Sequence, residues 1–216
     1  SSIALADSGS YRVEVIVFRH LFTTTEATVI EQLRGFSNFP DLETSHPVTA
    51  FPDDFNVLAN RGTSSDGVWR RLRSSRGYRP LLYAGWEQNQ TDYYPPIRIH
   101  DQQILDRQLR PPTPIMVADL AAEDPLAAYR STFYQLDGSV QLRRSRFLHL
   151  FLDLEYRLAT AMDDGAGPAI EPDWDGGEQY AVYSLQQNRQ IKTGQWQYFD
   201  TPYFGALVLV TSIANQ

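Results

Sequence analysis

The strongest constraint in the sequence is a run of alternating apolar residues between positions 136 and 158. Apolar side chains occupy even positions along both halves of this run: Val140, Leu142, Leu148, Leu150, Leu152, Leu154, Tyr156 and Leu158. A repeat of two residues is typical of a β-strand with one buried face. Residues directly opposite each other on paired strands share a face, so pairing even with even positions requires an odd-numbered loop or a bulge. The sequence therefore predicts a β-hairpin with a three-residue loop at 144–146.

Other segments also have the composition of strands. Residues 11–18 are rich in β-branched residues and residues 80–86 are continuously apolar, which favours buried strands. Residues 205–210 are apolar on both faces and are therefore expected in the centre of a sheet. A further hairpin is predicted from Tyr180 to Tyr198, turning near Asn188–Arg189 or Thr193–Gly194.

Short helices are predicted at three places. Thr25 is a suitable N-cap for a helix that Gly35 would end. Asp66 suits the N-cap of an amphipathic helix over 66–75, and residues 124–129 begin with Asp-Pro, which suits a helix start. Together these elements predict an α+β fold, a mainly antiparallel β-sheet with a few short helices on one face. The strand–helix–strand order near the start makes a ferredoxin-like arrangement one candidate.

Length and composition indicate one domain. Of the 216 residues, 42% are apolar, which is enough for one sizeable core. Residues 1–10 are interpreted as an export-signal remnant and flexible N-terminus, because Ala4–Leu5–Ala6 has the small-x-small pattern of signal-peptidase sites. No stretch approaches the roughly 20 apolar residues that span a bilayer. We expect a single domain over residues 11–216, with long loops at 36–64, 89–130 and 160–179.

Charge and side-chain chemistry exclude several classes of protein. The net charge of -7 disfavours non-specific nucleic-acid binding, which needs a basic surface. The absence of cysteine excludes disulfides, thiolate catalysis and cysteine-ligated zinc. The histidines are far apart and lack the spacing of a helical zinc site: His20, His46, His100 and His149. We therefore predict no metal site and no cofactor.

Asp153 and Glu155 are the carboxylate pair considered for catalysis. They share a strand face, and glycoside hydrolases use two carboxyls about 5–9 Å apart. Arginines on the same hairpin, Arg143, Arg146 and Arg157, would pair with them and keep both ionised, so a surface ion-pair ladder is the favoured interpretation. No serine-nucleophile motif is present. An enzyme is therefore not expected, and glycan cleavage by this pair is kept as the alternative.

Two groups of residues are predicted to form binding surfaces. Arginines cluster between positions 70 and 79 of an acidic chain, where they could bind carboxylates or an acidic partner, although the solvated face of a helix explains most of them. Aromatic residues cluster between positions 174 and 204, and aromatics with polar tips favour interfaces and can stack on sugar rings. The aromatic group comprises Trp174, Tyr180, Tyr183, Trp196, Tyr198, Tyr203 and Phe204.

Four blocks of the sequence carry a family pattern. They are Tyr11 to Arg19; Leu81-Leu82-x-Ala84-x-Trp86-x-Gln88; Leu136 to Leu154 with Arg146-Phe147-Leu148-His149-Leu150; and Tyr198-Phe199-Asp200-x-Pro202-Tyr203-Phe204-Gly205. In this order they resemble the CsiV family of periplasmic peptidoglycan-binding proteins. The resemblance implies a non-catalytic protein of Gram-negative bacteria that binds peptidoglycan. It also implies a partner, the outer-membrane lipoprotein activator through which such a protein supports a penicillin-binding-protein synthase.

The chain departs from the family pattern at two places. Residues 189–193 carry fewer charges than the Arg-rich family block, and Asp200-Thr201-Pro202 stands where the family has Asp-His-Pro. If that histidine contributes to binding, the function here is weakened or shifted. The predicted ligand-binding residues are Trp174, Tyr183, Trp196, Tyr198, Arg189 and Lys192. The predicted partner-binding residues are Arg70, Arg71, Arg73 and Arg76, which in a third hypothesis serve a pure protein-interaction adaptor.

Overall fold

The computed structural model describes residues 10–23, 25–42, 55–89, 94–109, 130–160 and 179–213. These residues form twelve strands and one helix. In chain order the elements are β1 (Ser10–His20), β2 (Thr28–Ile30), β3 (Asn56–Val57), α1 (Thr63–Ser74), β4 (Tyr78–Asn89), β5 (Ile97–His100), β6 (Ile104–Leu109), β7 (Arg130–Tyr134), β8 (Leu136–Arg144), β9 (Leu148–Thr160), β10 (Gln179–Ile191), β11 (Trp196–Asp200) and β12 (Phe204–Ile213).

The strands form two five-stranded sheets and a separate two-stranded pair. Sheet 1 has the order β11-β12-β1-β4-β3, sheet 2 has the order β2-β10-β9-β8-β5, and β6 pairs with β7. Neighbouring strands are antiparallel throughout, so the predicted antiparallel character is confirmed. The described residues contain one helix rather than a few. The ferredoxin-like candidate is not confirmed, because β1 and β4 run antiparallel and the strands divide between two sheets.

One hydrophobic core is shared by sheet 1 and sheet 2. Alternate residues of β1, from Tyr11 to Val17, belong to it together with alternate residues of β9, from Leu150 to Tyr156. Burial of such side chains is the main stabilising contribution, at about 25 cal/mol per Å² of apolar surface. The predicted even face of the hairpin is therefore core. The predicted central position of the last strand is also confirmed, since β12 lies between β11 and β1.

The predicted hairpin is formed by β8 and β9. Their closing pair is Arg144 with Leu148, which leaves a three-residue loop at 145–147 instead of 144–146. A shift of the loop by one residue changes the pairing register by two, so even positions still pair with even positions, as in Val140 with Leu152. The predicted parity is confirmed, whereas the predicted loop position is wrong by one residue.

The predicted hairpin from Tyr180 to Tyr198 is wrong. Instead, β10 pairs with β9 and β2 in sheet 2, whereas β11 pairs with β12 in sheet 1. The turn between them contains Gly194, whose φ of 74° favours glycine and whose N–H donates to the Val210 carbonyl at 2.7 Å. The chain crosses from one sheet to the other at this turn, because each strand then places its apolar face against the shared core.

The predicted helix after Thr25 is also wrong. Residues Thr28–Ile30 form the short edge strand β2, which pairs antiparallel with residues 180–182 of β10. Three β-branched residues in succession suit a pleated strand better than a helix. This pairing also covers part of the edge of β10 that would otherwise be open.

Helix α1 has Gly62 as its N-cap rather than the predicted Asp66, which lies in the first turn. The buried carboxylate of Glu14 on β1 accepts hydrogen bonds from the Gly62 N–H at 3.0 Å and from the Tyr83 hydroxyl at 2.9 Å. A Cβ at position 62 would lie 3.1 Å from Glu14 Oε1, so glycine permits this approach. The N–H of the N-cap residue is thus bound by a carboxylate from β1, whereas the sequence predicted that a local side chain, Asp66, would cap the helix.

Several predictions fall outside the described residues, namely the export-signal remnant, the helix at 124–129 and Trp174. The structure places β3 within the predicted loop 36–64 and β5 and β6 within the predicted loop 89–130. Within the described ranges, no helix has the length and apolar character needed to cross a membrane.

Replacing Gly138 by alanine tests the close approach of β8 to β9. A Cβ at this position would lie 2.7 Å from the Leu154 Cα and closer still to the Asp153 carbonyl oxygen. Both are backbone atoms, so the strands must separate, and we expect Gly138→Ala to lower the free energy of unfolding by about 2 kcal/mol or more. Denaturant unfolding followed by circular dichroism measures this.

Gly67→Ala in α1 is the matched control for the Gly138 variant. A Cβ there meets nothing within 4 Å, and alanine in a helix interior is expected to raise the free energy of unfolding by roughly 0.5–1 kcal/mol. Equal stability of Gly138→Ala and the parent chain would contradict the β8–β9 packing described above.

Candidate functional site

The odd face of the hairpin is buried at the end where β8 begins and β9 finishes. Leu33 and Phe133 pack there with Tyr180 and Val182 in a second, smaller core. Beside this small core lies a set of charged side chains, here called the ion cluster. The ion cluster comprises Arg34, Asp41, Arg98, Asp137, Asp153, Glu155 and Arg157.

Two arginines form the buried centre of the ion cluster. Arg98 on β5 donates to both carboxylate oxygens of Asp137, from Nε at 2.9 Å and from Nη2 at 2.8 Å. Arg157 on β9 donates to Glu155 from Nε at 3.0 Å and from Nη2 at 2.7 Å, and its Nη1 donates to Asp137 at 3.3 Å. Arg157 is completely buried, so its charge depends on these partners.

Arg34 attaches the segment 31–42 to the ion cluster. Its guanidinium donates to Asp153 from Nη1 at 2.9 Å and from Nη2 at 2.6 Å, and its Nε donates to Glu155 at 2.9 Å. Its carbonyl accepts from Arg157 Nη2 at 2.5 Å. Burial lowers the pKa of Arg34, but the contacts with Asp153 and Glu155 outweigh burial and raise that pKa above its usual value. This arginine therefore remains a permanent cation between the two carboxylates.

The interpretation of Asp153 and Glu155 as a surface ion-pair ladder is confirmed for the predicted pairing with Arg157, which contacts Glu155 at 2.7 Å, and is wrong in two respects. Ion pairs do form, but Glu155 is only 6% exposed, and the partner that contacts both carboxylates is Arg34 rather than Arg143 or Arg146. Both carboxylates are bound by guanidinium groups of the fold, Asp153 by Arg34 and Glu155 by Arg34 and Arg157. The geometry therefore supports a structural role. Within the described ranges, no three histidine or acidic side chains are placed to hold a metal ion.

A cleft of about 280 Å³, here called the tyrosine cleft, lies between sheet 2 and the turn that joins β11 to β12. Tyr183 from β10 and Tyr203 from the turn stack with ring centroids 3.6 Å apart and planes within 7°. Tyr156 packs against Tyr203 at 5.3 Å. The cleft is lined by Thr25, Glu26, Thr28, Val182, Tyr183, Ser184, Thr201, Pro202 and Tyr203.

Thr201 fixes the turn that presents Tyr203. Its hydroxyl donates to the Phe204 carbonyl at 2.7 Å and accepts from the Phe204 N–H at 3.2 Å. The Tyr203 carbonyl in turn accepts from the His20 N–H at the end of β1, at 2.9 Å. The residue that departs from the family's Asp-His-Pro pattern thus has a defined structural role in this chain.

The structure does not bring together into one site those predicted ligand-binding residues that it describes. Tyr183 lines the tyrosine cleft, whereas Trp196 and Tyr198 lie on the edge strand of sheet 1. Tyr198 is 46% exposed and stacks on Phe18 with centroids 6.2 Å apart. Burial and a hydrogen bond to Asp200 raise the pKa of the Tyr198 hydroxyl above its usual value.

The two predicted cations near this strand have different surroundings. Arg189 donates to the Tyr198 carbonyl at 2.9 Å and lies over the Phe199 ring at 4.5 Å, so it joins sheet 2 to the edge strand β11. Lys192 is exposed in the turn between β10 and β11. Arg189 therefore stabilises the contact between the sheets, and Lys192 remains a candidate surface cation.

A second cavity, of about 440 Å³ and here called the arginine cavity, lies where α1 ends and β4 begins. It is lined by Leu21, Trp69, Arg73, Ser75, Tyr78, Arg79 and Pro80. Of the predicted partner-binding arginines, Arg73 alone lines it. Arg70 pairs with Asp66 at 2.5 Å and its side chain is 73% exposed, and Arg71 and Arg76 are also exposed.

Both cavities lie at the same end of the molecule. His20, the last residue of β1, is opposite Tyr78 in the β1–β4 pairing, and its neighbour Arg19 is opposite Phe204 in the β1–β12 pairing. Tyr78 lines the arginine cavity, and Tyr203 precedes Phe204 in the tyrosine cleft. The end of β1 is therefore the boundary between them.

Of the described residues that line these cavities, only Tyr183 and Arg73 were among the predicted binding residues. Tyr203 belongs to the predicted aromatic group and Arg79 to the predicted arginine cluster, but neither was among the predicted binding residues. The stacking of Tyr203 on Tyr183 could not be found from the sequence, because the two rings are brought together by different sheets.

Comparison with known proteins gives one family and two distant structures. A family model described as "Peptidoglycan-binding protein, CsiV" matches residues 2–213. ExeD from Aeromonas hydrophila is 7% identical, with 96% of this chain and 49% of that chain covered and a TM-score of 0.34. The InvG secretin domain β-barrel from the Salmonella SPI-1 injectisome NC-base is 8% identical, and the match covers 96% of this chain and 62% of the InvG chain with a TM-score of 0.31.

The chain spans about half of the ExeD chain and less than two thirds of the InvG chain. TM-scores this low carry no argument about function. No curated protein sequence matches the chain. The family match is therefore the comparison that bears on function.

Arg157→Met tests the ion cluster as a structural element. Removal of this guanidinium leaves the buried Glu155 with only the half-exposed Arg34 and takes one of two buried arginines from Asp137, so we expect the free energy of unfolding to fall by about 3–5 kcal/mol. The measurement is denaturant unfolding at neutral pH.

Arg12→Met is the control for the Arg157 variant. Arg12 pairs with Glu87 at 2.7 Å, but its side chain is 42% exposed, so about 1 kcal/mol or less is expected. An equally small decrease in the free energy of unfolding of both variants would show that Arg157 is no more important for stability than an exposed arginine.

Proposed function

The chain belongs to the CsiV family of peptidoglycan-binding proteins, and on that premise we propose that it binds peptidoglycan in the bacterial periplasm without cleaving it. The tyrosine cleft is the proposed site for the glycan. The observation that supports this choice is the Tyr183–Tyr203 stack, which places two aromatic rings beside a polar cleft.

The lining of the tyrosine cleft matches the chemistry of a sugar. Tyrosine rings offer an apolar face for the C–H groups of a pyranose ring and a polar hydroxyl at the edge. Thr28 and Ser184 provide hydroxyls that both donate and accept, and Glu26 provides an acceptor. A volume of about 280 Å³ is near the lower end of ligand pockets, roughly 300–1,000 Å³, and suits one or two sugar units of a longer chain.

The remaining predicted ligand residues are proposed as an extension of this surface. Trp196, Tyr198 and Lys192 lie on or beside β11, where a long glycan strand leaving the cleft could contact them. Trp174 belongs to the same proposal. Arg189 is not assigned to the ligand, because its guanidinium is bound by the Tyr198 carbonyl.

A non-catalytic role is proposed because the carboxylate pair considered for hydrolysis is engaged in the fold. Arg34 contacts both Asp153 and Glu155, and Arg157 also contacts Glu155. Cleavage of glycan by Asp153 and Glu155 remains the alternative.

Tyr203→Ala tests the tyrosine cleft as the glycan site. We expect the variant to co-sediment with purified sacculi about three- to tenfold more weakly than the parent chain, because one stacking surface is lost. Tyr203→Phe keeps the ring and should bind nearly as well. Phe147→Ala removes an exposed aromatic from the β8–β9 loop and is the control.

The outcomes of this experiment separate the parts of the proposal. Normal binding by Tyr203→Ala would move the site elsewhere, and a parent chain that stays in the supernatant would refute peptidoglycan binding itself. Release of soluble muropeptides by the parent chain, lost in Asp153→Asn, would establish the enzymatic alternative.

We also propose that the protein supports a penicillin-binding-protein synthase through its outer-membrane lipoprotein activator. The proposed contact is the exposed arginine face of α1 and the residues after it, which include Arg70, Arg71, Arg73 and Arg76. Such a surface suits an acidic patch on a partner, since guanidinium groups bind carboxylates in pairs of hydrogen bonds.

Replacing Arg70, Arg71 and Arg76 together by alanine tests this contact. We expect affinity for the purified activator to fall at least about tenfold, while co-sedimentation with sacculi is retained. Arg73 stays in place in this variant because it also lines the arginine cavity. Undiminished activator binding would refute the contact, and activator binding by a chain that never binds sacculi would favour the pure adaptor.

A further inference from the structure

Resting on the proposed function, we infer that the arginine cavity binds the carboxylates of the peptidoglycan stem peptide. The proposed glycan site is in the tyrosine cleft, and this second site would recognise the peptide that branches from the glycan. Arg73 and Arg79 would bind the carboxylate, with Trp69 and Tyr78 packing against the aliphatic part of the peptide.

Two arginines that line the arginine cavity, Arg73 and Arg79, belong to a group that lacks carboxylate partners among the described residues. Within the described part of the chain, Arg71, Arg73, Arg76 and Arg79 form no salt bridge, whereas Arg12, Arg34, Arg98 and Arg157 are each paired with a carboxylate. The chain has 26 acidic residues against 19 basic ones, so a shortage of acids does not explain the unpaired group. Of the four, Arg73 and Arg79 line the cavity and form a local site for an anion, whereas Arg71 and Arg76 are exposed and do not line it.

Requirements of the fold explain only part of this group. Arg71 and Arg73 lie in the last turn of α1, where a cation interacts favourably with the helix dipole. Arg79 lies on β4 directly opposite Arg19 on β1, and like charges at opposed positions destabilise a strand pair. A residue that costs stability and borders a cavity is better explained by a ligand.

The chemistry of the cavity selects the stem peptide over the glycan. The N-acetylated sugars of peptidoglycan are neutral, whereas its stem peptides carry free carboxylates on side chains and chain ends. Guanidinium groups bind carboxylates bidentately. A cavity of about 440 Å³ lies within the range of small-ligand sites, roughly 300–1,000 Å³, and can hold a few short residues.

The positions of the two cavities agree with a single branched ligand. The His20 N–H is bonded to the Tyr203 carbonyl at 2.9 Å, and the next residue, Leu21, lines the arginine cavity. The two cavities are therefore separated by the end of one strand. The tyrosine cleft would hold a sugar and the arginine cavity would hold the peptide attached to it, so the two sites together would bind one muropeptide.

The experiment uses three probes with the full chain, namely free stem tetrapeptide, intact sacculi, and N-acetylglucosamine oligomers, which have N-acetylated pyranose rings but no charge. We expect calorimetry to detect tetrapeptide binding that weakens as salt is raised. Arg73→Ala/Arg79→Ala should lower tetrapeptide affinity at least about tenfold and weaken sacculus binding, but leave any binding to the neutral oligomers unchanged.

Two further variants control the result. Arg143→Ala/Arg146→Ala removes the same charge near the loop of the β8–β9 hairpin, away from the arginine cavity. This variant should bind tetrapeptide like the parent chain. Arg73→Lys/Arg79→Lys keeps the charge but loses the planar fork, and should bind with intermediate affinity. Circular dichroism and unfolding confirm that each variant is folded.

The outcomes distinguish this inference from the proposed function. Sacculus binding by the parent chain with no loss in Arg73→Ala/Arg79→Ala overturns the inference and leaves peptidoglycan binding in place. Equal losses in this variant and in Arg143→Ala/Arg146→Ala also overturn it, because net charge alone would then explain binding. Failure of the parent chain to bind sacculi refutes the proposed function instead.

Discussion

The buried guanidinium of Arg157 joins parts of the chain that are far apart in sequence. It donates to Glu155 on its own strand, to Asp137 on β8 and to the Arg34 carbonyl in the segment before β3. A fully buried cation is tolerated only when its hydrogen-bonding capacity is satisfied, because an uncompensated charge costs several kcal/mol. The hairpin and the segment 31–42 must therefore assemble together. Arg98 extends the same constraint to β5 through its bidentate contact with Asp137.

Two groups of arginines differ in their surroundings, one within the fold and one at the surface. Arginines of the first group are paired with carboxylates on the outer face of sheet 2, and this pairing uses the two acidic residues that resembled a catalytic pair. Among the residues that the structure describes, the second group, Arg71, Arg73, Arg76 and Arg79, forms no salt bridge and lies at the end of α1 and around the start of β4. Two of these cations, Arg73 and Arg79, line the arginine cavity, where they can bind an anion.

The proposed binding surfaces lie at strand ends and in turns, on a scaffold whose strands are fixed by the shared core. The turn at Thr201–Phe204 is held by two hydrogen bonds to the Thr201 hydroxyl, which positions Tyr203 against Tyr183. Binding residues are often carried by such loops because the backbone there is free of the sheet ladder. The threonine that departs from the family pattern is thus accommodated as part of the turn, and the aromatic stack beside it is complete without a histidine.

Patterns that act over a few residues were predictable from the sequence alone. Alternation of apolar residues determined that 136–158 is a hairpin with even positions inward, and continuous apolarity determined that the last strand is central, because side-chain direction in a strand follows from the period of two. The arginine cluster and the aromatic group were also visible. Only the tertiary structure decided that β10 and β11 join different sheets, that Arg34 contacts Glu155 across 121 positions, and that Tyr203 stacks on Tyr183. These outcomes depend on which apolar faces pack together and which charges form ion pairs when the two sheets associate. A local sequence pattern does not determine such long-range contacts.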